Sequence, residues 1–67
     1  MKNRIEAIRK ERGLRQDELA AMLEVSRQTI SSLENGRYNP SITLAFKLAH
    51  LFEMQIEEIF IYEENEK

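Results

Sequence analysis

The sequence predicts an all-α fold: a bundle of five helices forming a single domain over residues 1–67. Two observations predict it. Apolar residues recur at three- and four-residue spacing along nearly the whole chain, and Gly13, Gly36 and Pro40 cut that pattern into pieces of helical length. A third observation sets the scale. A chain of 67 residues has room for one small domain, which buries only about 60% of the surface its unfolded form exposes.

The elements follow in order. The first helix is expected over Asn3 to Arg12, with Ile5 and Ile8 on its buried side. Gly13 then serves as a left-handed C-terminal cap. The second runs from Gln16 to Leu23 and offers Leu19, Ala20 and Leu23 to the core. The third is capped by Ser26, runs to Asn35 and is closed by Gly36. "RYNP" is a loop, and Ser41 caps a fourth helix over Ile42 to Phe52. Its expected stripe is Ile42, Ala45, Leu48, Ala49 and Phe52. A fifth, short helix near Glu57 to Phe60 places Ile56, Ile59 and Phe60. "IFIY" has strong β propensity, which suits a short C-terminal strand pairing with residues near Met1. The acidic end, about residues 63–67, is expected to fray.

One internal echo stands out. "LAAMLEV" at Leu19 to Val25 resembles "LAHLFEM" at Leu48 to Met54. Each reads as a helix end, a one-residue left-handed reversal at Glu24 or Glu53, and an apolar residue tucking under.

Composition removes several functional classes. There is no cysteine, so disulfides and Cys-based zinc sites are excluded. That suits a reducing cytoplasm. His50 has no second His or Cys beside it and reads as a surface histidine rather than a metal ligand. No apolar run approaches the roughly 20 residues of a membrane span, and "MKNRIEAIRK" has no apolar segment of a signal peptide. Catalysis needs a nucleophile, a base and an orienting group around a pocket. One His and scattered hydroxyls do not supply them, so neither an enzyme nor a cofactor is expected. The net charge of −2 does not advertise nucleic-acid binding. Its distribution says more: residues 1–38 carry eight Lys/Arg against six Asp/Glu, whereas residues 39–67 carry two against six.

The third helix carries the functional signal. Ile30 and Leu33 are nearly its only apolar side chains. The link from the second helix is only Glu24, Val25 and the cap Ser26, which forces a sharp helix–turn–helix corner. A small Ala20 lets the two helices approach. With Ile30 and Leu33 turned inward, Arg27, Gln28, Ser31 and Ser32 face out. Arg and Gln have planar, multi-donor heads suited to paired hydrogen bonds with guanine and adenine edges. The first turn is also where a helix probing the major groove carries its readers.

These residues resemble Cro and the lambda-type phage repressors, the xenobiotic response element class. The resemblance is carried by Gln16, "ELA" at Glu18 to Ala20, "VSRQTIS" at Val25 to Ser31, and "LENG" followed by "NPS". It covers about residues 3–60, and the short chain is similar to the small one-domain repressors of Gram-positive bacteria. It implies a cytoplasmic transcriptional regulator, a dimeric repressor of double-stranded DNA reading a palindromic operator. By matching position, Arg27 and Gln28 would read bases, with Ser31 or Ser32 adding a weaker contact. Gln16 would touch a phosphate and brace Gln28. Asn35, Arg37 and Tyr38 would clamp the DNA backbone, and Thr43 would add another phosphate contact. Arg9 and Glu34 match a pair that forms a largely buried salt bridge in some members, which makes Arg9 structural. The chain departs from the class at Arg15, where Ser or Thr usually caps the second helix, and at Glu24 and Glu53, where Gly is common.

A lone recognition helix spans few base pairs, whereas a twofold dimer reads half-sites about 34 Å apart. Leu51, Phe60, Ile61 and Tyr62 are the candidate dimer surface. The alternative is that Phe60 and Tyr62 seal the protomer core and leave Ile61 exposed. No small-molecule effector is evident. The rival function is an antitoxin-like or adaptor module that binds protein, which the polar first turn of the third helix disfavours.

Overall fold

The computed structural model describes residues 1–62. Its elements are β1 (Lys2–Asn3), α1 (Ile5–Glu11), α2 (Gln16–Leu23), α3 (Arg27–Glu34), α4 (Ile42–Phe52), α5 (Ile56–Ile59) and β2 (Phe60–Ile61). The helical bundle is as the spacing predicts, and the β-prone ending forms a strand. β2 pairs antiparallel with β1, Lys2 against Ile61 and Asn3 against Phe60. The acidic end expected to fray lies outside the described residues.

Helix starts use two devices. Ser26 and Ser41 each accept a hydrogen bond on Oγ from a backbone N–H three residues on, Thr29 and Leu44, both at 3.1 Å. Arg15 has no acceptor to offer, so α2 starts differently. Glu18 reaches back and accepts the Arg15 N–H at 2.8 Å. α5 repeats this with Glu58 and the Gln55 N–H at 2.7 Å. This is the glutamate half of a capping box, and it gives a partner to one backbone donor that the helix itself cannot satisfy.

Helix ends explain the echo. Glu24 and Glu53 have φ of 62° and 56°, in the left-handed region. After each, the next N–H returns to a carbonyl five residues back, Val25 to Ala20 and Met54 to Ala49, both at 3.0 Å. This is the Schellman closure, which turns the chain sharply and folds an apolar residue under the helix. Val25 and Met54 pack against the core accordingly.

The core is one cluster built around Ile5, Leu19, Ile30, Leu33, Leu48, Phe52 and Ile59, all fully buried. Each such side chain contributes about 1.5–3 kcal/mol by leaving water. One expected core residue is corrected. Ile42 is 73% exposed, and Leu44 takes its place at 6%. With Ser41 setting the start of α4, Leu44, Ala45, Leu48 and Phe52 fall on one face, and the pair Ile42 and Phe46 turns outward. Arg12 ties α1 to the end of α4, donating from Nη2 to the Phe52 carbonyl at 2.6 Å with its guanidinium 5.2 Å from the centre of the Phe52 ring. A cation there complements the negative end of the helix dipole.

The two left-handed glutamates yield a stability test. A non-glycine residue in that region costs about 1–2 kcal/mol, while glycine loosens the unfolded chain by roughly 0.5–1 kcal/mol. The exposed Glu24–Lys47 contact at 3.5 Å adds little. Glu24→Gly and Glu53→Gly are therefore expected to be neutral or slightly stabilising in urea unfolding. A clear loss of stability in both would show that the glutamate side chains, not the backbone, hold these corners.

Candidate nucleic-acid interface

The candidate site is built on the α2–α3 corner. Leu19, Ala20 and Leu23 of α2 and Ile30 and Leu33 of α3 are all buried, with Val25 packed against them in the turn. Ala20 is 3% exposed, and any larger side chain there would push the helices apart. This packing sets the rotation of α3 about its own axis. Arg27 and Gln28 consequently stand fully outward, and Ser31 and Ser32 are half-buried beside them. The Thr29 hydroxyl is turned to the cap, 2.9 Å from Ser26 Oγ.

Beyond α3 the chain turns at Gly36, whose φ of 76° is in the region that favours glycine. Asn35, Arg37 and Tyr38 are exposed along this turn, and Thr43 is exposed in the first turn of α4. A shallow hollow lined by Ser26, Gln28, Thr29, Ser32 and Tyr38 brings the Tyr38 ring beside the outward face of α3. A second hollow joins Tyr38 to Thr43 and Lys47. Base-reading and phosphate-binding candidates therefore share one face. Sequence reasoning missed Lys47 there. Its signal was available, since Lys47 lies one helical turn beyond Thr43 on the outer side of α4.

An ion pair orients α3 from behind. Arg9 Nε donates to Glu34 Oε2 at 2.7 Å and Arg9 Nη2 to Oε1 at 3.3 Å, with side chains only 9% and 4% exposed. Arg9 Nη1 also donates to the Leu14 carbonyl at 2.8 Å. The bond to Glu34 pushes the Arg9 guanidinium above its ordinary range, so it stays charged. Gln16 joins the same carboxylate, donating from Nε2 to Glu34 Oε1 at 2.9 Å. Gln16 thus braces α3 at its last residue, Glu34, rather than through Gln28. Reaching Glu34 satisfies a buried carboxylate, a larger gain than a bond to the exposed Gln28. Among the described residues no buried side-chain nitrogen or oxygen lacks a partner.

Other cations are engaged within the fold. Arg15 pairs with Asp17 at 3.1 Å, which holds the Asp17 carboxyl below its usual range and raises Arg15. The dimer candidates are divided. Leu51 and Ile61 are half-buried, and Tyr62 is 76% exposed. Phe60, at 9%, is sealed in the protomer core. His50 is exposed, and the described residues contain no cluster of side chains fit to hold a metal ion. No helix among them is long and apolar enough to cross a membrane.

A tight helix corner that holds out a polar first turn defines a helix-turn-helix domain. The family described as Helix-turn-helix matches residues 5–59, and the chain belongs to this Cro/CI-like family of transcriptional regulators, not to an enzyme family. Relatives span archaea, bacteria and phage. An uncharacterized HTH-type transcriptional regulator of Methanocaldococcus jannaschii is 52% identical over 66 residues, covering 98% of this chain and 100% of its own. The immunity repressor protein of Bacillus phage phi105 is 41% identical over 56 residues, covering 84% of this chain and 39% of its own. Among solved structures, the restriction-modification controller protein C.AhdI of Aeromonas hydrophila superposes with a TM-score of 0.76 at 30% identity, over 85% of this chain and 86% of its own. A transcriptional regulator of Listeria innocua shares the fold, with a TM-score of 0.82 at 24% identity; this chain is covered completely and spans 66% of the Listeria chain.

The buried pair predicts a sharp mutational signature. Arg9→Ala leaves the Glu34 carboxylate buried without its cation and is expected to cost about 3–5 kcal/mol. That is comparable with the whole stability of a domain this size, roughly 3–10 kcal/mol. Arg9→Met combined with Glu34→Leu removes both charges and is expected to recover most of the loss in urea unfolding. A double variant as unstable as the single would show that packing of the Arg9 stem, rather than the stranded charge, is what matters.

Proposed function

We propose that this regulator is a dimeric repressor that binds a palindromic operator in double-stranded DNA, with α3 in the major groove. The observation that carries the reading is the exposed first turn of α3, Arg27 and Gln28, on a helix whose other side is fixed by buried contacts. Arg27 and Gln28 read base edges, and Ser31 or Ser32 adds a shorter contact. Gln16, Asn35, Arg37, Tyr38 and Thr43 hold phosphates and set the register. Repression follows from occupying a promoter in the cytoplasm. A phage relative is named an immunity repressor, which supports the direction of control.

Base readers and phosphate clamps separate experimentally. Arg27→Ala or Gln28→Ala is expected to cost about 1–3 kcal/mol on a duplex selected by the wild-type protein and to relax preference at one base position. Arg37→Ala is expected to weaken binding to every sequence and to make the salt dependence shallower. Mobility shifts on selected and scrambled duplexes over a salt series measure both effects. Equal affinity for the two duplexes in the wild type would instead favour a protein-binding module.

The dimer is proposed to form through Leu51, Ile61 and Tyr62, with Phe60 beneath them supporting the strand from the core. Leu51→Asp with Ile61→Asp is expected to give a folded monomer that binds the selected duplex much more weakly. Sedimentation decides the point. A wild-type protein that stays monomeric at high micromolar concentration and binds the duplex as one copy would refute it.

A further inference from the structure

We propose that Asn3 is a positioning residue for DNA binding, locking the end of the recognition helix and the phosphate-binding turn to the β1–β2 sheet. The proposal rests on the reading above, in which Asn35, Arg37 and Tyr38 grip the DNA backbone.

Asn3 uses both ends of its carboxamide. Its Oδ1 accepts the Ile5 N–H at 3.0 Å, the side-chain turn that Asn commonly makes just before a helix. Its Nδ2 donates to the Leu33 carbonyl at 2.8 Å, across 30 residues of sequence. Leu33 lies in the last turn of α3, where carbonyls have no partner within the helix. The same oxygen accepts the Gly36 N–H at 3.0 Å. One carbonyl therefore joins Asn3 to the turn that launches Arg37. A second observation points the same way. A Cβ added at Gly36 would meet the Met1 carbonyl oxygen at 3.3 Å, so the start of the chain lies directly against the turn.

Asn3 is itself held firmly. It pairs with Phe60 in the sheet, and the adjacent Arg4 N–H donates to the Ile59 carbonyl at 2.8 Å. Phe60 and Ile59 are buried in the core. The turn after α3 is thus referenced through Asn3 to the core beneath β2. A loop with no such reference samples many geometries, and each phosphate contact then has to be ordered on binding.

Asn3→Ser tests this. Serine retains an acceptor for the Ile5 N–H, adds no charge and is too short to reach Leu33. Thermal melting should show a folded protein with a modest drop in Tm. Affinity for a duplex selected by the wild-type protein from a randomised pool should fall about three- to tenfold, the range expected for one lost hydrogen bond. The salt slope should become shallower by about one as the Arg37 contact loses its register. Hydrogen exchange should accelerate at the Gly36 and Arg37 amides and not at the core amides of α4. Wild-type affinity and slope in Asn3→Ser, with Arg37→Ala impaired, would overturn the inference and leave the phosphate contact standing. Wild-type binding in both variants would overturn the phosphate contact and the inference together. A loss of affinity that merely tracks the unfolded fraction, with an unchanged slope, would also overturn it.

Discussion

The ion pair between Arg9 and Glu34 is the constraint on which the rest of the structure depends. Its two side chains are almost entirely removed from water, and their charge is matched at 2.7 Å. Taking two charges out of water costs several kcal/mol per ion, and only good geometry with every remaining donor and acceptor satisfied offsets that. The surroundings meet the condition. Arg9 also holds the Leu14 carbonyl, and Glu34 also accepts from Gln16. The network therefore joins α1, the loop before α2, the first residue of α2 and the last residue of α3. Apolar packing at Leu19, Ile30 and Leu33 holds α3 against the body and sets its rotation. A bidentate charged contact at the end of the helix adds a second, directional constraint.

This arrangement explains how a chain with a net charge of −2 belongs to a DNA-binding family. Part of its positive charge is engaged within the fold. Arg9 is buried against Glu34, Arg12 caps α4 through the Phe52 carbonyl, and Arg15 is paired with Asp17. What matters for a polyanion is the field on the face it meets, not the sum over the chain. On that face Arg27, Arg37 and Lys47 are exposed, together with the polar side chains of Gln28, Asn35 and Tyr38. The acidic residues of α5 belong to the other half of the sequence.

Much of this was legible in the sequence because it depends on local chemistry. Ser26 and Ser41 announce their helices, and Glu24 and Glu53 mark equivalent closures through a repeated pattern. Phe60 and Ile61 of "IFIY" form a strand with Lys2 and Asn3 near Met1, as its composition suggests, while Ile59 closes α5. The outward placement of Arg27 and Gln28 follows from Ile30 and Leu33, whose helical phase leaves no other choice. What was not legible depends on distant partners. Ile42 and Leu44 are equally apolar, and periodicity cannot choose between them in a first turn; only the position of the neighbouring core does. Phe60 is as fit for a partner's surface as for its own core until α5 is in place above it. Gln16 finds Glu34 and Asn3 finds Leu33 across stretches of chain with no periodic relationship. Long-range hydrogen bonds by polar side chains leave no pattern to read.

The strand pair has a kinetic meaning beyond its small size. The corners at Glu24 and Glu53 close within a few residues and can form as soon as their helices do. β1 and β2 instead join residues 2 and 3 to residues 60 and 61, nearly the full described length. Closing so large a loop carries its entropy cost before the two residue pairs return anything. The sheet therefore depends on a far longer loop closure than either helix corner does. Because Asn3 sits on it, the bond from Asn3 to the Leu33 carbonyl connects the end of α3 to a strand pair closed by Phe60 and Ile61. Under the proposed role of Asn3, the turn after α3 is thereby tied to a pairing that spans nearly the whole described sequence.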